Sequence, residues 1–182
     1  MQIRSPRILL RALSPEDGEV LHALAKNSLT MGSTTTFWRP WSPEDFKRFS
    51  APNLSGMPES IRLGICPMEN GEERLIGVIE LNRISWIHGN AEVGITILSD
   101  QDQKKGFGKE ALSLLCDWSF KVLRLRRLYA KIFDSNEESK RCFEKIGFER
   151  EGVWREHCFV DGRGMDCVLF GLLKEPNGGS AE

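Results

Sequence analysis

Apolar positions recur with two different periods along the chain. Near the amino terminus, an apolar run over residues 8–13 predicts a short strand, and two segments with helical spacing follow it. Each segment opens with serine, proline and two acidic residues, at positions 14–17 and 42–45. A capping serine, a proline in the first turn and acidic residues close behind are typical of a helix amino terminus. The second helix is expected to turn Phe46 and Phe49 inward.

From residue 61 onward, strand patterns dominate. Residues 61–66, 75–84 and 91–98 predict a meander of three strands, with turn signals at Asn70-Gly71 and at residues 88–90. The remaining elements are a helix over 106–123, a strand over 127–133, a helix from the capping box at 135–138 to Gly147, and strands over 148–155 and 166–173. This order predicts an α+β fold with a mixed sheet and helices on its faces.

Composition narrows the classes of function. The 182 residues fit one domain, which we expect over residues 1–174, followed by a disordered tail over 175–182. The formal net charge of −1 disfavours a nucleic-acid binder. No apolar run approaches the ~20 residues that cross a membrane, and the amino terminus lacks the apolar stretch of a signal peptide. We therefore expect a cytoplasmic protein with neither a nucleic-acid nor a membrane partner.

The five cysteines are odd in number and widely spaced. They form no Cys-x-x-Cys pair, and no histidine joins them at zinc-ligand spacing. We expect reduced, mostly buried thiols and no metal.

The stretch from Gln103 to Ala111 combines glycines and lysines at a predicted helix start and is the strongest candidate for a binding site. Its glycines, Gly106 and Gly108, allow a ligand to approach the backbone closely. Its amides converge at the start of a predicted helix, where the dipole favours negative charge. Three lysines add positive charge there: Lys104, Lys105 and Lys109. These features suit a pyrophosphate group.

Two other interpretations compete for the same residues. The first is an ordinary helix start with solvated lysines. The second is a dinucleotide site, because Gly106-x-Gly108-x-x-Ala111 matches a variant of that fingerprint. Against it, residues 99–105 separate the glycines from the preceding strand, and Asp134 lies 28 positions after Gly106 rather than about 20.

Motifs in five regions resemble the GNAT (Gcn5-related N-acetyltransferase) superfamily, in that family's order. They are Leu10-Arg11-Ala12-Leu13 with Asp17, Ala91-Glu92-Val93-Gly94-Ile95, Gln103-x-x-Gly106-x-Gly108, Asn136-x-x-Ser139, and Gly147-Phe148-x-x-Glu151-Gly152 followed by Arg155. The resemblance spans residues 8–173. It implies a GNAT fold, with a mixed seven-stranded sheet splayed between its fourth and fifth strands, at 91–98 and 127–133. Acetyl-CoA would be the co-substrate and would enter that gap.

The resemblance also implies which residues bind acetyl-CoA. The expected contacts are Ile97, Leu98, Gln103, Lys104, Lys105, Gly106, Phe107, Gly108, Lys109, Asn136 and Ser139. Amides near Ile97 and Leu98 would hold the charge that develops on the carbonyl oxygen. Asn136 would contact the pantetheine arm, since Ser135 and Glu138 can cap the last helix without it.

Acetyl transfer by direct attack requires an amine that has lost its proton. Glu80 and Glu92, on neighbouring predicted strands, are the candidate bases. The alternatives are solvent-facing strand residues or, for Glu92, a buried partner of an arginine. Phe143 stands where many relatives carry a proton-donating tyrosine, so we assign no general acid; Ser139 or water could serve.

The acceptor is less defined than the reaction. The pattern resembles the ribosomal-protein N-terminal acetyltransferases, which implies a protein amino terminus as acceptor. It also resembles the spermidine acetyltransferases, through residues 78–81, His88 and Ala91-Glu92. A non-catalytic acyl-CoA-binding sensor is a third hypothesis. The acceptor surface would involve residues 31–57, where Phe37, Trp38 and Trp41 either fill the core or line a pocket. A homodimer is a possible assembly.

Overall fold

The structure, a computed structural model, describes residues 3–27, 41–51, 56–69, 72–160 and 162–174. The turn expected at Asn70-Gly71, the aromatic residues Phe37 and Trp38, and the tail expected at 175–182 lie outside the described residues. The predictions made for these segments therefore stay predictions.

The described part of the chain contains nine strands, four α-helices and one short 3₁₀ helix at Asp100–Asp102. The strands are β1 (Ile3–Arg4), β2 (Ile8–Ala12), β3 (Ile61–Glu69), β4 (Glu72–Glu73), β5 (Gly77–Ser85), β6 (Asn90–Ile97), β7 (Arg127–Phe133), β8 (Glu149–Val160) and β9 (Arg163–Leu173). The helices are α1 (Asp17–Asn27), α2 (Pro43–Ser50), α3 (Phe107–Lys121) and α4 (Glu137–Glu144). The seven predicted strands and four predicted helices are confirmed, and β1 and β4, of two residues each, are additional.

All nine strands join one mixed sheet. Eight lie in the order β1-β2-β3-β5-β6-β7-β9-β8, and β4 pairs with β3 outside that row. β6 and β7 are parallel, whereas the other paired strands are antiparallel. Only three residue pairs join β6 to β7, from Asn90–Arg127 to Glu92–Tyr129, and the strands then diverge. The predicted splay is confirmed.

Helices cover both faces of the sheet, as predicted. Leu112 of α3 and Phe143 of α4 share a core cluster with Ile79 of β5. Phe46 of α2 shares a second cluster with Val78 of β5. Because Val78 and Ile79 are adjacent on one strand, their side chains point to opposite faces. The helix pair α1/α2 therefore lies on one face, and α3 and α4 lie on the other.

The first helix begins later than predicted. α1 starts at Asp17, so Pro15 is not in its first turn. The Asp17 carboxylate accepts hydrogen bonds from the Ser14 amide at 2.8 Å and from the Arg11 guanidinium at 2.7 and 2.9 Å. Burial favours the protonated acid, but the hydrogen bonds from Arg11 and Ser14 outweigh it and lower the pKa of Asp17. This ionised side chain ties β2 to the start of α1.

The second helix begins as predicted. The Ser42 hydroxyl accepts a hydrogen bond from the Asp45 amide at 3.1 Å, and the Asp45 carboxylate accepts one from the Ser42 amide at 2.8 Å. This reciprocal capping box satisfies two backbone donors that the helix itself leaves open. Phe49, on the inner face of α2, is buried. The Arg62 guanidinium of β3 lies 4.6 Å from the centre of its ring. α2 is therefore held over β3.

Candidate active site

A cleft opens where β6 and β7 diverge. Pairing ends at Glu92 and Tyr129, so the facing edges of the two strands separate beyond these residues. The cleft is open to solvent, and the space between its walls, part of it open solvent, is about 620 Å³. It is lined by Glu80, Asn82, Glu92, Val93, Gly94, Ile95 and Thr96 from β5 and β6, and by Ala130, Lys131, Ile132, Phe133, Asn136, Ser139 and Phe143 from β7, α4 and the segment between them. Both candidate bases and two of the expected acetyl-CoA contacts thus meet in one cleft.

The backbone of β6 turns alternate amides toward this cleft. The Leu98 amide donates to the Ile76 carbonyl at 2.9 Å, which directs it toward β5. Because successive amides of a strand point to opposite sides, the amides of Val93 and Ile95 point away from β5 and into the gap. The predicted role of the Leu98 amide as a donor to the carbonyl oxygen is therefore wrong. Ile97 ends β6 beside the gap, and its role stays a prediction.

The glycine loop forms the start of α3, as predicted. Gly106 is the N-cap and has a φ of +86°, in the left-handed region that favours glycine. A side-chain carbon added at Gly108 would lie 3.8 Å from both Ile95 and Ile97. This end of α3 therefore lies beside β6 and the cleft. The first amides of α3 have no acceptor within the helix, so they can receive an anionic group.

A buried aspartate holds the glycine loop in place. Asp102 is 1% exposed and accepts two hydrogen bonds from Arg74, at 2.6 and 2.9 Å, and one from the Ser99 hydroxyl. The Lys105 ammonium lies 3.3 Å from the same carboxylate. These partners, Arg74 foremost, hold the pKa of Asp102 well below its usual range. Lys105 thus supports the loop, and the role of Asp102 was not predicted from the sequence.

The other predicted loop residues either support the loop or stay exposed. The Gln103 side chain donates to the Ile97 carbonyl at 3.3 Å, which links the loop to the end of β6. Phe107 is buried. Lys104 and Lys109 are exposed and carry positive charge next to the start of α3. Their contact with pyrophosphate stays a prediction.

The start of α4 borders the cleft through Asn136 and Ser139. Asn136 is the N-cap of α4, and its side-chain oxygen accepts from the Ser139 amide at 3.0 Å. The prediction that Ser135 and Glu138 form the cap is wrong, because the Ser135 hydroxyl instead contacts the Met165 sulfur at 3.4 Å. The cap bond uses the Asn136 oxygen and not its amide nitrogen, so a contact with the pantetheine arm stays a prediction for that nitrogen.

Phe143 lines the cleft at the position where a proton-donating tyrosine would stand. Phe143 is buried and packs against Phe148 with ring centres 4.9 Å apart. Tyr129, the single tyrosine of the sequence, lies at the closed end of the cleft opposite Glu92. Burial foremost, and then the charge of Glu92, raise the pKa of Tyr129. Phe143 therefore supplies no proton to a departing thiolate.

Glu80 lies on the face that α1 and α2 cover. It is 4% exposed and sits opposite Gly94 of β6. A side-chain carbon added at Gly94 would lie 3.1 Å from the Glu80 Oε1 atom, so the glycine leaves room for the carboxylate. The Arg62 Nε atom lies 3.4 Å from Glu80 Oε2, at ion-pair distance but without hydrogen-bond alignment. Glu80 is thus a carboxylate in the cleft beside a cation.

Glu92 is held by two cations. Arg83 donates to its Oε2 atom at 2.7 Å, and the Lys131 ammonium lies 3.1 Å from its Oε1 atom. The Lys131 side chain is only 11% exposed, and its ion pair with Glu92 joins β7 to β6 at the closed end of the cleft. Lys131 was not predicted as a site residue from the sequence. The available signal was a lysine between Ala130 and Ile132 in an otherwise apolar strand.

The described residues contain neither a cluster of metal-ligating side chains nor a membrane-spanning helix. Within them, no group of three or more His, Cys, Asp or Glu side chains could hold a metal ion. No helix in the same part of the chain is long and apolar enough to cross a membrane. All five cysteines are free, and Cys66, Cys116 and Cys167 are buried, which confirms the prediction of mostly buried free thiols.

Comparison with known proteins identifies the family. A family model described as "Acetyltransferase (GNAT) domain" matches residues 7–149, which include the glycine loop, both strands of the cleft and the start of α4. The chain belongs to the GNAT acetyltransferases. This GNAT enzyme is an N-acetyltransferase that uses acetyl-CoA.

Two curated relatives differ in the acceptor that their names give. The "Spermidine N(1)-acetyltransferase" of Vibrio cholerae is 29% identical over 92% of this chain and 94% of its own length. The "Putative ribosomal N-acetyltransferase YdaF" of Bacillus subtilis is also 29% identical, over 92% of this chain and 91% of its own length. Both relatives match nearly the whole chain, so identity alone does not select the acceptor.

Solved structures agree with the fold. The spermidine N-acetyltransferase from Vibrio cholerae in complex with CoA and spermine aligns with a TM-score of 0.79 and 28% identity, covering 93% of this chain and 96% of that one. A structure of the same enzyme described as dodecameric aligns with a TM-score of 0.75 and 28% identity, covering 93% and 95%. These alignments support the GNAT fold, and the complex with CoA supports the use of a CoA substrate.

Proposed function

We propose that this GNAT enzyme acetylates the amino-terminal amine of a protein. The observation that carries the proposal is the charge balance on the α1/α2 side of the cleft. Glu80 is paired with Arg62, and Glu92 is paired with Arg83 and Lys131. These ion pairs join two carboxylates to three cations. Among its described residues the cleft thus offers no surplus of negative charge that lacks a cationic partner.

A polyamine acceptor would need such a surplus. Each of its protonated nitrogens loses hydration on entering a cleft and requires an anionic partner there. The sequence at positions 28–40, between α1 and α2, adds Arg39 and no acidic residue. A peptide amino terminus instead brings one reacting amine followed by an uncharged backbone. This suits a site whose carboxylates are already paired.

Glu80 acts as the base in this proposal. An α-amino group has a pKa near ~8, against ~10.4 for a primary alkylamine, so it loses its proton more readily. Glu80 lies in the cleft and can take that proton directly or through water. Both oxygens of Glu92 already contact cations, so Glu92 positions the cleft wall rather than removing the proton.

Transfer then follows by direct attack within a ternary complex. Negative charge builds on the carbonyl oxygen as the amine attacks, and the amides of Val93 and Ile95 are the proposed donors to that oxygen. The thiolate leaves without help from a tyrosine. A thiol pKa near ~8.5 makes it a tolerable leaving group, and Ser139 or water can protonate it.

Polyamine acetylation is the second candidate. The relative named for spermidine and the aligned complex with spermine favour it. For a polyamine, the same base and the same donors would act, and the acceptor's remaining charges would have to be met by residues outside the described part of the cleft.

Assembly and location belong to the proposal as well. The dodecameric structure of a relative supports a homo-oligomer, and we propose a homodimer as the simplest form for this chain. The cytoplasm is the expected compartment, where acetyl-CoA and nascent proteins are both available.

A thiol-release assay with acetyl-CoA tests the acceptor. The panel contains peptides with free Ala, Ser or Met amino termini, the same peptides with blocked amino termini, spermidine, spermine and free amino acids. We expect turnover on the free peptides and none on the blocked ones. Turnover on spermidine alone would replace the proposal with the second candidate. Binding of acetyl-CoA without turnover on any amine would favour the sensor hypothesis.

A further inference from the structure

Two of the five free cysteines touch each other. The Sγ atoms of Cys158, on β8, and Cys167, on β9, lie 2.9 Å apart. In the described structure no other pair of thiols is in hydrogen-bond contact, although all five cysteines are described. Neither cysteine of this pair lines the cleft or belongs to the glycine loop, and the pair plays no part in the proposed transfer.

The contact depends on an irregularity in the β8–β9 ladder. Cys167 is the register partner of Trp154, and Cys158 is the partner of Met165, so the two cysteines do not face each other in a regular ladder. The register shifts between Trp154 and Cys158, and Glu156 within the shift has a φ of +47°. This bulge brings the Cys158 sulfur toward Cys167.

We infer that Cys158 and Cys167 are a redox-active pair that a hydroperoxide converts to an intramolecular disulfide. The Cys158 sulfur, as thiolate, attacks the terminal peroxide oxygen; the O–O bond breaks, a sulfenic acid forms, and an alcohol or water leaves. The Cys167 sulfur then attacks the sulfenic sulfur, the S–S bond forms, and water leaves. Sulfur is oxidised, the peroxide is reduced, and each thiol gives up one proton.

Exposure assigns the order of these two steps. Cys158 is partly exposed, whereas Cys167 is completely buried, so the oxidant meets Cys158 first. Burial foremost, and then the contact with Cys158, raise the pKa of the Cys167 thiol to about 12. The Cys167 thiol therefore stays protonated until the sulfenic acid has formed beside it, and its proton leaves with the hydroxyl of that acid as water when the Cys167 sulfur attacks. A disulfide bond of about 2.05 Å requires the sulfurs to approach by less than 1 Å.

The bond would tie the part of β8 that follows the bulge, residues 158–160, to the cleft wall. Cys167 is the register partner of Phe133 on β7, and Phe133 lines the cleft. The bulge around Glu156 separates this part of β8 from the regular ladder. A bond from Cys158 to Cys167 closes that bulge covalently, so backbone amides in residues 155–160 should exchange more slowly after oxidation.

Thiol counting on the purified full chain tests the inference. Treatment with hydrogen peroxide, followed by unfolding and labelling, should reduce the count from five thiols to three, with a mass loss of two hydrogen atoms. Peptide mapping should join the segments that contain Cys158 and Cys167, and dithiothreitol should restore all five thiols. The amides of residues 155–160 should exchange more slowly in the oxidised protein than in the reduced protein.

Two serine variants complete the test. Cys158→Ser, at the partly exposed position, should abolish the loss of two thiols, while Cys142→Ser, a partly exposed cysteine without a thiol partner, should leave it unchanged. Retention of five thiols in the wild type would overturn the inference. So would a disulfide that forms equally well in Cys158→Ser, or an oxidation that dithiothreitol does not reverse.

Discussion

The two sides of the cleft are built by different means. On the side of the glycine loop, the groups offered to a ligand are backbone amides of α3 and β6, and the buried Asp102 keeps the loop in position. On the side covered by α1 and α2, the groups offered are the carboxylates of Glu80 and Glu92, each held by cations from other strands.

This difference separates what is common to the family from what can vary. Backbone amides bind the same group whatever side chains surround them, provided that glycines allow the approach. Paired carboxylates bind according to the balance of charge around them, and one substitution changes that balance. Acceptor choice should therefore respond to single changes on the α1/α2 side, while acetyl-CoA binding should respond to changes in the loop.

Glu80→Gln should give the largest loss, because it removes the proposed base and leaves the shape intact. We expect kcat to fall by about 10²–10⁴-fold, with the KM for acetyl-CoA unchanged and the alkaline rise of the rate flattened. Steady-state kinetics across pH measures this. Glu92→Gln is the matched control, with a smaller loss. A pH profile identical to that of the wild type would exclude Glu80 as the base.

Asp102→Asn should lower the stability of the fold, because Asp102 holds the glycine loop and takes no part in the acetyl transfer. Loss of the charge opposite Arg74, whose own side chain is half exposed, should lower the free energy of unfolding by about 1.5–3 kcal/mol at pH 7. The pKa of Asp102 is lowered in the folded state, so its stabilisation is present above the usual value of about 3.9 and is lost as the pH falls further.

Urea denaturation at pH 7 and at decreasing pH below 4 measures that effect. The gap between wild type and Asp102→Asn should narrow as the pH falls. Asp117→Asn is the control, because its pair with Lys121 is exposed and should contribute less than about 1 kcal/mol. Equal losses in the two variants would contradict a special role for Asp102.

Gly108→Val should weaken acetyl-CoA binding without unfolding the protein. The new side chain meets Ile95 and Ile97 at ordinary contact distance, so the fold tolerates it while the ligand's approach to the amides is blocked. Loss of charge-assisted hydrogen bonds should raise the KM for acetyl-CoA by about 10–100-fold. An unchanged KM, with an unchanged Tm, would show that the loop does not bind the pyrophosphate.

Lys104→Ala should have the smallest effect. Lys104 is exposed beside the start of α3, and an exposed pair of opposite charges contributes about 0.2–1 kcal/mol. We expect the KM for acetyl-CoA to rise about 2–5-fold at low salt and to approach the wild-type value at high salt. Lys121→Ala, at the far end of the same helix, should leave the KM unchanged at both salt concentrations.

Local signals explain why most of the fold could be predicted. The alternating pattern of β6 and the capping sequence of α2 are encoded within a few adjacent residues, and the structure confirms them. The glycine loop was likewise predictable, because its chemistry lies in consecutive residues.

The parts that the sequence did not predict depend on contacts between distant segments. Asp102 is buried because Arg74 reaches it from 28 positions away, and Lys131 is held by Glu92 on another strand. The cap of α4 was assigned to Ser135 because serine, asparagine and glutamate in succession offer two capping solutions. The bond from the Ser139 amide to Asn136, together with the contact of Ser135 with Met165, distinguishes them.

The three-pair contact between β6 and β7 links the stability of the enzyme to its substrate. The amides of Val93 and Ile95 face a gap instead of a strand, so a ligand that accepts from them takes the place of the missing neighbour. A ligand that binds only the folded chain adds about 2.7 kcal/mol at one hundred times its Kd. The abundance of the folded enzyme would then follow the supply of acetyl-CoA, so that a cell rich in this metabolite keeps more enzyme as well as running it faster.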